Sequence, residues 1–150
     1  KERDTVALCE RRPAEEHEKD FIYALKKIGI YPYVSQIWGW DEAFQYREFE
    51  DDWAKRDEFW TLWSENEPVG YVQLAQEGHI VNVVELHIVP QHRRKGLGSE
   101  ILQEIVENES AHGRKVQIGC FRQNESALRL YERLGFVRVG ETSTHFILMQ

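Results

Sequence analysis

The sequence predicts a single mixed α/β (α+β) domain, and three observations carry that reading. Runs rich in β-branched and aromatic residues at 59–64, 68–76 and 79–89 have the hairpin-like turns Asn66-Glu67 and Glu77-Gly78 between them, the pattern of an antiparallel meander. A strand, an amphipathic helix and a second strand then follow between His79 and Cys120, the order of a βαβ unit. The 150 residues are 41% hydrophobic and 12% aromatic, with five Trp, enough for one proper core. No repeat, low-complexity stretch or linker divides them.

Taken in order, residues 5–11 read as a first strand, and Pro13 marks a turn or helix start. From Glu15 the pattern is helical, with Phe21, Ile22, Leu25 and Ile28 on one face and Gly29 as a C-terminal stop. Tyr31-Pro32-Tyr33 reads as an extended connector, because Pro disfavours helix at the residue before it. Asp41 suits the N-cap of a second helix that runs to about Phe49. The meander comes next, then a helix burying Leu97, Ile101, Leu102, Ile105 and Val106 and ending at Gly113. A strand at 115–120, a helix at 124–134 closed by Gly135, and strands at 136–140 and 144–149 complete the chain.

Between the strand 79–89 and the helix lies Pro90-Gln91-His92-Arg93-Arg94-Lys95-Gly96-Leu97-Gly98-Ser99. A helix N-terminus leaves its first N–H groups unpartnered and carries the positive end of the macrodipole. Glycines let a ligand approach the backbone, and three consecutive cations deepen the attraction for an anion, so a phosphate or pyrophosphate cradle is predicted here. The formal net charge of −7 argues against bulk nucleic-acid or anionic-membrane binding and makes this basic loop a local ligand site. Cys9 and Cys120 are far apart and outside metal-ligand spacing, so free thiols in a reducing cytoplasm are expected, with no metal. The chain opens Lys-Glu-Arg-Asp and holds no signal-peptide core or membrane-length apolar run, which predicts a soluble cytoplasmic protein.

Two stretches carry a family resemblance. Arg93-Arg94-Lys95-Gly96-Leu97-Gly98 is similar to the Gln/Arg-x-x-Gly-x-Gly/Ala loop of the GCN5-related N-acetyltransferase (GNAT) superfamily, and Asn124-Glu125-Ser126-Ala127 through Tyr131 to Gly135-Phe136 resembles its Asn-x-x-Ala-x-x-x-Tyr-x-x-x-Gly-Phe helix. Trp38-Gly39-Trp40-Asp41-Glu42 and Glu141-Thr142-Ser143-Thr144-His145-Phe146 resemble a bacterial branch of it that has no secure substrate. The resemblance implies acetyl-CoA as donor, a primary amine as the commonest acceptor, and a strongly twisted mixed sheet with helices on both faces. It also implies that the fourth and fifth strands, here 79–89 and 115–120, splay apart to admit the pantetheine arm. The pyrophosphate would then lie on the N–H groups from about Arg94 through Lys95, Gly96, Leu97 and Gly98 to Ser99, with Arg93 or Arg94 adding charge. Backbone groups near Ile88 and Val89 would pair with the pantetheine as an added strand, one N–H polarising the thioester carbonyl.

For the chemistry, strand alternation sets Val81, Val83, Glu85, His87 and Val89 on one face, so Glu85 and His87 interrupt an otherwise apolar surface. A buried carboxylate without a partner shifts its pKa upward and serves as a general base; in a salt bridge or at a solvated strand end it is structural. Both readings of Glu85 stand, and His87 reads as its satisfied neighbour. By the resemblance, Tyr131 is the general acid that protonates the CoA thiolate, against plain core packing, and Asn124 is a cofactor contact as well as a helix cap. Tyr33, Trp38, Trp40, Asp41, Glu42 and His145 fall on the segments that build the acceptor site in the family. Aromatic and acidic side chains there suit a small cationic amine, with Trp38 and Trp40 as core anchors and Asp41 as a cap the structural alternative. A CoA-binding regulatory module and a protein-lysine acetyltransferase are the competing functions. The C-terminal strands offer a sheet edge for homodimerisation.

Overall fold

The computed structural model describes residues 8–150. One seven-stranded sheet runs through them in the order β1-β2-β3-β4-β5-β7-β6. Strand β1 (Glu10–Pro13) pairs antiparallel with β2 (Phe59–Ser64), β2 with β3 (Glu67–Glu77), and β3 with β4 (Ile80–Ile88). Strand β5 (Lys115–Phe121) runs parallel to β4 and antiparallel to β7 (His145–Met149), whose outer neighbour is β6 (Val137–Glu141). The helices are α1 (Lys19–Ile37), α2 (Glu42–Trp53), α3 (Leu97–Ala111) and α4 (Glu125–Arg133). Among the described residues no helix is long and apolar enough to cross a membrane.

The first strand is later than the 5–11 expected; residues 5–7 lie outside the described residues. Pro13 ends β1 at the sheet's edge, where a missing N–H is tolerated. The meander turns one residue earlier than expected at Glu65-Asn66, both with positive φ (51° and 67°), the two-residue geometry that matches strand twist. Helix α2 continues past Phe49 to Trp53, because Phe49 and Trp53 both bury against Phe59.

The larger departure is α1. It does not stop at Gly29, and Tyr31-Pro32-Tyr33 is helix rather than connector. Packing overrides the local signals: Ile30 and Val34 are buried, and Tyr33 stacks on Phe121 at 4.9 Å. Pro32 is solvent-exposed, and Ser35 Oγ donates to the Tyr31 carbonyl at 2.6 Å in the turn it disturbs. Ile28, expected inside, is half exposed.

Strand β4 also differs from simple alternation. Gln73 pairs with Glu85 and Leu74 with Val83, so Val84 is an extra residue, a β-bulge. The bulge breaks the expected face: Glu85 and His87 lie with Gln73 and Tyr71 beneath α1, whereas Val81 and Val83 lie with Gln76 and Leu74 on the opposite side, with Val72 and Leu86. Helix α3 packs on that opposite side with Ile101, Leu102 and Ile105 buried, each contributing about 1.5–3 kcal/mol. Pairing between β4 and β5 covers only Ile80↔Lys115 to Val83↔Ile118, ending where the bulge begins. Beyond it the two strands part, as the resemblance implied.

Candidate functional site

The loop after β4 brings backbone donors and exposed cations to one end of the strand. A 3-10 turn (Pro90–His92) leads to Arg94 with φ 65° and to Gly96, the N-cap of α3, with φ 82°. The first backbone bond of α3 is Glu100 N–H to the Gly96 carbonyl at 3.0 Å, so the N–H groups of Leu97, Gly98 and Ser99 precede the intrahelical ladder. A Cβ added at Gly98 would meet nothing within 4 Å, so the space beside these donors is free of protein. Arg94 and Lys95 are exposed there. Arg93 donates from Nε to the Ile88 carbonyl at 3.0 Å, and Glu100 turns its carboxylate to the N–H groups of Leu8 and Cys9 at 2.8 Å. These donors and cations fit a pyrophosphate.

The strand backbone follows from the register. Val89 N–H donates to the Val69 carbonyl at 2.8 Å and its own carbonyl accepts from His92 N–H at 2.9 Å, so both its groups are engaged within the protein. Alternation then turns the backbone of Leu86 and Ile88 away from β3, toward the side β5 has left. Leu86, missed in the sequence because no residue pattern reveals a bulge, therefore joins Ile88 at the opening in place of Val89.

Glu85 is not an unpartnered carboxylate. His87 Nε2 lies 2.7 Å from its Oε1 and Lys26 Nζ 3.9 Å from its Oε2, with both side chains largely shielded from solvent. Burial alone pushes the Glu85 carboxyl upward, but the His87 hydrogen bond and charge, with Lys26 and His145, outweigh it and hold the pKa below its ordinary value. Of the two readings the sequence left open, the structure shows the partnered one, and Glu85 is ionised at neutral pH. His87 stacks near Tyr71 with ring centroids 5.5 Å apart and fills a notch in α1: an added Cβ at Gly29 would stand 2.2 Å from its Nδ1. Gly29 is a close-approach residue, not a helix stop.

Asn124 caps α4, its Oδ1 accepting from Ala127 N–H at 3.2 Å. Tyr131, on that helix, is partly buried against Phe136; burial first, then Cys120, Glu85 and Tyr33, raise its phenol well above the ordinary range. It therefore carries its proton throughout the working pH range. Tyr33 from α1, Phe121 from β5 and His145 from β7 form a continuous stack, with centroids 4.9 Å and 4.3 Å apart. Burial lowers the His145 pKa against the opposing charge of Glu85, so its imidazole is neutral at pH 7. Phe121, absent from the sequence-based set, is the ring that joins the other two.

The remaining acceptor-site candidates lie apart in their bonding. Asp41 caps α2 by accepting from Phe44 N–H at 3.1 Å. Glu42 is held by Lys27 (2.7 Å), Trp40 Nε1 (2.9 Å) and the Tyr23 hydroxyl (2.8 Å), which lower its pKa to about 2. Trp40 packs on Tyr31 at 5.1 Å, and Trp38 is exposed. Trp40 and Glu42 together tie α1 to α2. Among the described residues no group of three or more His, Cys, Asp or Glu is arranged to hold a metal ion.

Comparison with known proteins gives the same outline. The model of the acetyltransferase (GNAT) family matches residues 20–136. The chain is 26% identical over 92 residues to the uncharacterized N-acetyltransferase YvbK of Bacillus subtilis, a match covering 60% of this chain and 59% of that protein. It is 35% identical over 77 residues to a mycothiol acetyltransferase of Saccharomonospora viridis, covering 50% and 24% respectively. The chain thus matches less than two thirds of the length of either relative. In fold it is similar to the PaiA N-acetyltransferase of Thermoplasma acidophilum, solved in complex with coenzyme A (TM-score 0.75, 15% identity, 95% of this chain and 98% of that one). It is also similar to the ribosomal-protein-S18-alanine N-acetyltransferase of Escherichia coli (TM-score 0.70, 16% identity, 94% and 92%). With the loop, the split sheet and the family match in agreement, the chain belongs to the acetyltransferase (GNAT) family.

Proposed function

We propose that the protein transfers the acetyl group of acetyl-CoA to a small primary amine by direct attack on the thioester. The observation that carries this reading is the parting of β4 from β5 after Val83 and Ile118, with the open end of α3 following the same strand. Leu97, Gly98 and Ser99 bind the pyrophosphate through their N–H groups, with Arg94 and Lys95 adding charge and Asn124 a contact from α4. Leu86 and Ile88 offer N–H groups to the pantetheine and to the oxygen that becomes negative as the thioester is attacked. Glu85, ionised and oriented by His87, takes one proton from the acceptor ammonium. The freed nitrogen lone pair bonds to the carbonyl carbon, the carbon–sulfur bond breaks, and Tyr131 gives its phenolic proton to the departing thiolate. The second nitrogen proton restores Tyr131, so one proton is released to solvent per turnover.

The acceptor end is bounded by Tyr33, Phe121 and a neutral His145, and the acids nearby are already engaged: Asp41 in a cap, Glu42 with Lys27. An amine recognised by aromatic contact and proton removal suits this better than one held by several free carboxylates. The test is thiol release from acetyl-CoA with spermidine, glucosamine and alanine amide, beside CoA affinity measured calorimetrically. Tyr131→Phe should keep CoA affinity while kcat falls about 10²–10⁴-fold. CoA binding without thiol release above hydrolysis for any acceptor would sink the enzymatic reading.

A further inference from the structure

Among the described residues two buried side-chain polar atoms have no protein partner: the Tyr71 hydroxyl and Gln73 Oε1. Both belong to β3 and face α1 and α2. Tyr71 is fully buried and Gln73 is 2% exposed, and they are the cross-strand partners of His87 and Glu85. Their neighbour on β2 shows how such a group is normally treated: Thr61, also fully buried, donates from Oγ1 to Glu18 Oε1 at 2.8 Å. A buried hydroxyl or amide oxygen without a partner costs about 1–3 kcal/mol, and internal water is the usual remedy where several polar groups converge. Here the two residues stand directly across from His87 and Glu85 on β4.

The polar groups continue outward from that pair. Gln73 donates from Nε2 to Glu58 Oε1 at 3.0 Å, and Glu58 is partly solvent-exposed. Burial, then the negative charges of Glu85 and Asp52, raise the Tyr71 phenol, so its hydroxyl keeps its proton and can donate to a water. The charged and titratable groups around Tyr71 and Gln73 are therefore Glu85 and His87 on β4, Lys26 on α1, Asp52 on α2 and Glu58 in the turn before β2.

We propose that Tyr71 and Gln73 hold internal water that carries the proton taken by Glu85 across β3 toward the partly exposed Glu58. The inference rests on Glu85 as the base. Each turnover leaves one proton on a shielded carboxylate, and this route returns it to solvent while acceptor and cofactor still occupy the opening between β4 and β5. Tyr71 and Gln73 are thus positioning residues: they touch the water, not the substrate.

The test uses Tyr71→Phe and Gln73→Met with the three acceptors above. Each variant should keep CoA affinity and acceptor KM, lower kcat about tenfold at neutral pH, and show a solvent deuterium effect on kcat larger than the parent's. Water-to-protein magnetisation transfer should detect long-lived water beside the Tyr71 ring in the parent and lose it in Tyr71→Phe. Parent-like kcat in both variants, or a fall in kcat without the larger deuterium effect, would overturn the relay. Glu85→Gln separates the two layers. If it turns over like the parent, the base assignment falls and the relay with it. If it is inactive while Tyr71→Phe and Gln73→Met are not, only the relay falls.

Discussion

Replacing Gly29 by Ala should destabilise the protein although Ala is the better helix former. Gly29 lies inside α1 with ordinary helical backbone, where Gly→Ala normally adds about 1 kcal/mol of stability. The new Cβ would stand 2.2 Å from His87 Nδ1 and 2.4 Å from Cε1, against about 3.4 Å for ordinary contact, so the ring must retreat by about 1.2 Å. That displacement breaks the 2.7 Å bond to Glu85. Overpacking of about 1–3 kcal/mol and a lost charged hydrogen bond of about 1.5–3 kcal/mol, discounted for partial exposure, exceed the helical gain. The expected net loss is about 1–2 kcal/mol by urea unfolding. The pH dependence has a definite sign. In the parent, His87 and its neighbours keep the Glu85 pKa below the ordinary 4.5, a contribution present at neutral pH and lost on acidification. Without His87, burial dominates and raises that pKa, so the Gly29→Ala deficit should be largest at neutral pH and shrink as pH falls through the carboxylate range. The acid limb of the rate profile should move to higher pH. In the Gly29→Ala/His87→Ala double variant the clash disappears and the helical gain should emerge as a coupling of about 1 kcal/mol or more. A single variant more stable than the parent, with no coupling to His87, would refute the notch.

Gly96→Ala introduces almost no clash, since its nearest contact would be Leu8 Cδ1 at 3.9 Å, but φ is 82°; backbone strain of about 1–2 kcal/mol should lower stability, and calorimetry should show weaker CoA binding. Asn124→Ala removes the bond to Ala127 N–H and should cost about 1 kcal/mol in thermal unfolding. Glu42→Gln should lower stability at neutral pH, where the Lys27, Trp40 and Tyr23 contacts hold the ionised carboxylate; the difference from the parent should vanish as pH falls from 4.5 toward 2.

The glycine-punctuated loop, the Asn124 cap with Tyr131 on its helix, and the meander were legible because local chemistry decides them: positive φ, capping geometry and alternation act over a few residues. Three features were not. Helix α1 runs through Gly29 and Pro32 because Ile30 and Val34 are buried and Tyr33 has a distant partner in Phe121, and no local rule weighs those against two helix breakers. The bulge at Val84 depends on pairing with β3, so alternation assigned the wrong companions to Glu85 and His87 and missed Leu86. The charge state of the site depended on which residues meet. Lys26 and His145, 59 residues before and 60 after Glu85 in the sequence, help reverse the direction of its shift.

The strands' early separation makes an edge inside the sheet. The outer margins are protected, β1 by its short length and Pro13, and β6 by a bulge at Val139, opposite which Arg138 and Gly140 pair with consecutive residues of β7. At the Leu86–Ile88 margin Arg93 Nε meets the Ile88 carbonyl, while the N–H groups of Leu86 and Ile88 face the side that β5 has left. Unpaired strand groups of this kind are the ones an added extended chain meets. A ligand that fills the margin should protect the fold: CoA should raise Tm by mass action and reduce heat-induced aggregation, in Tyr131→Phe as in the parent.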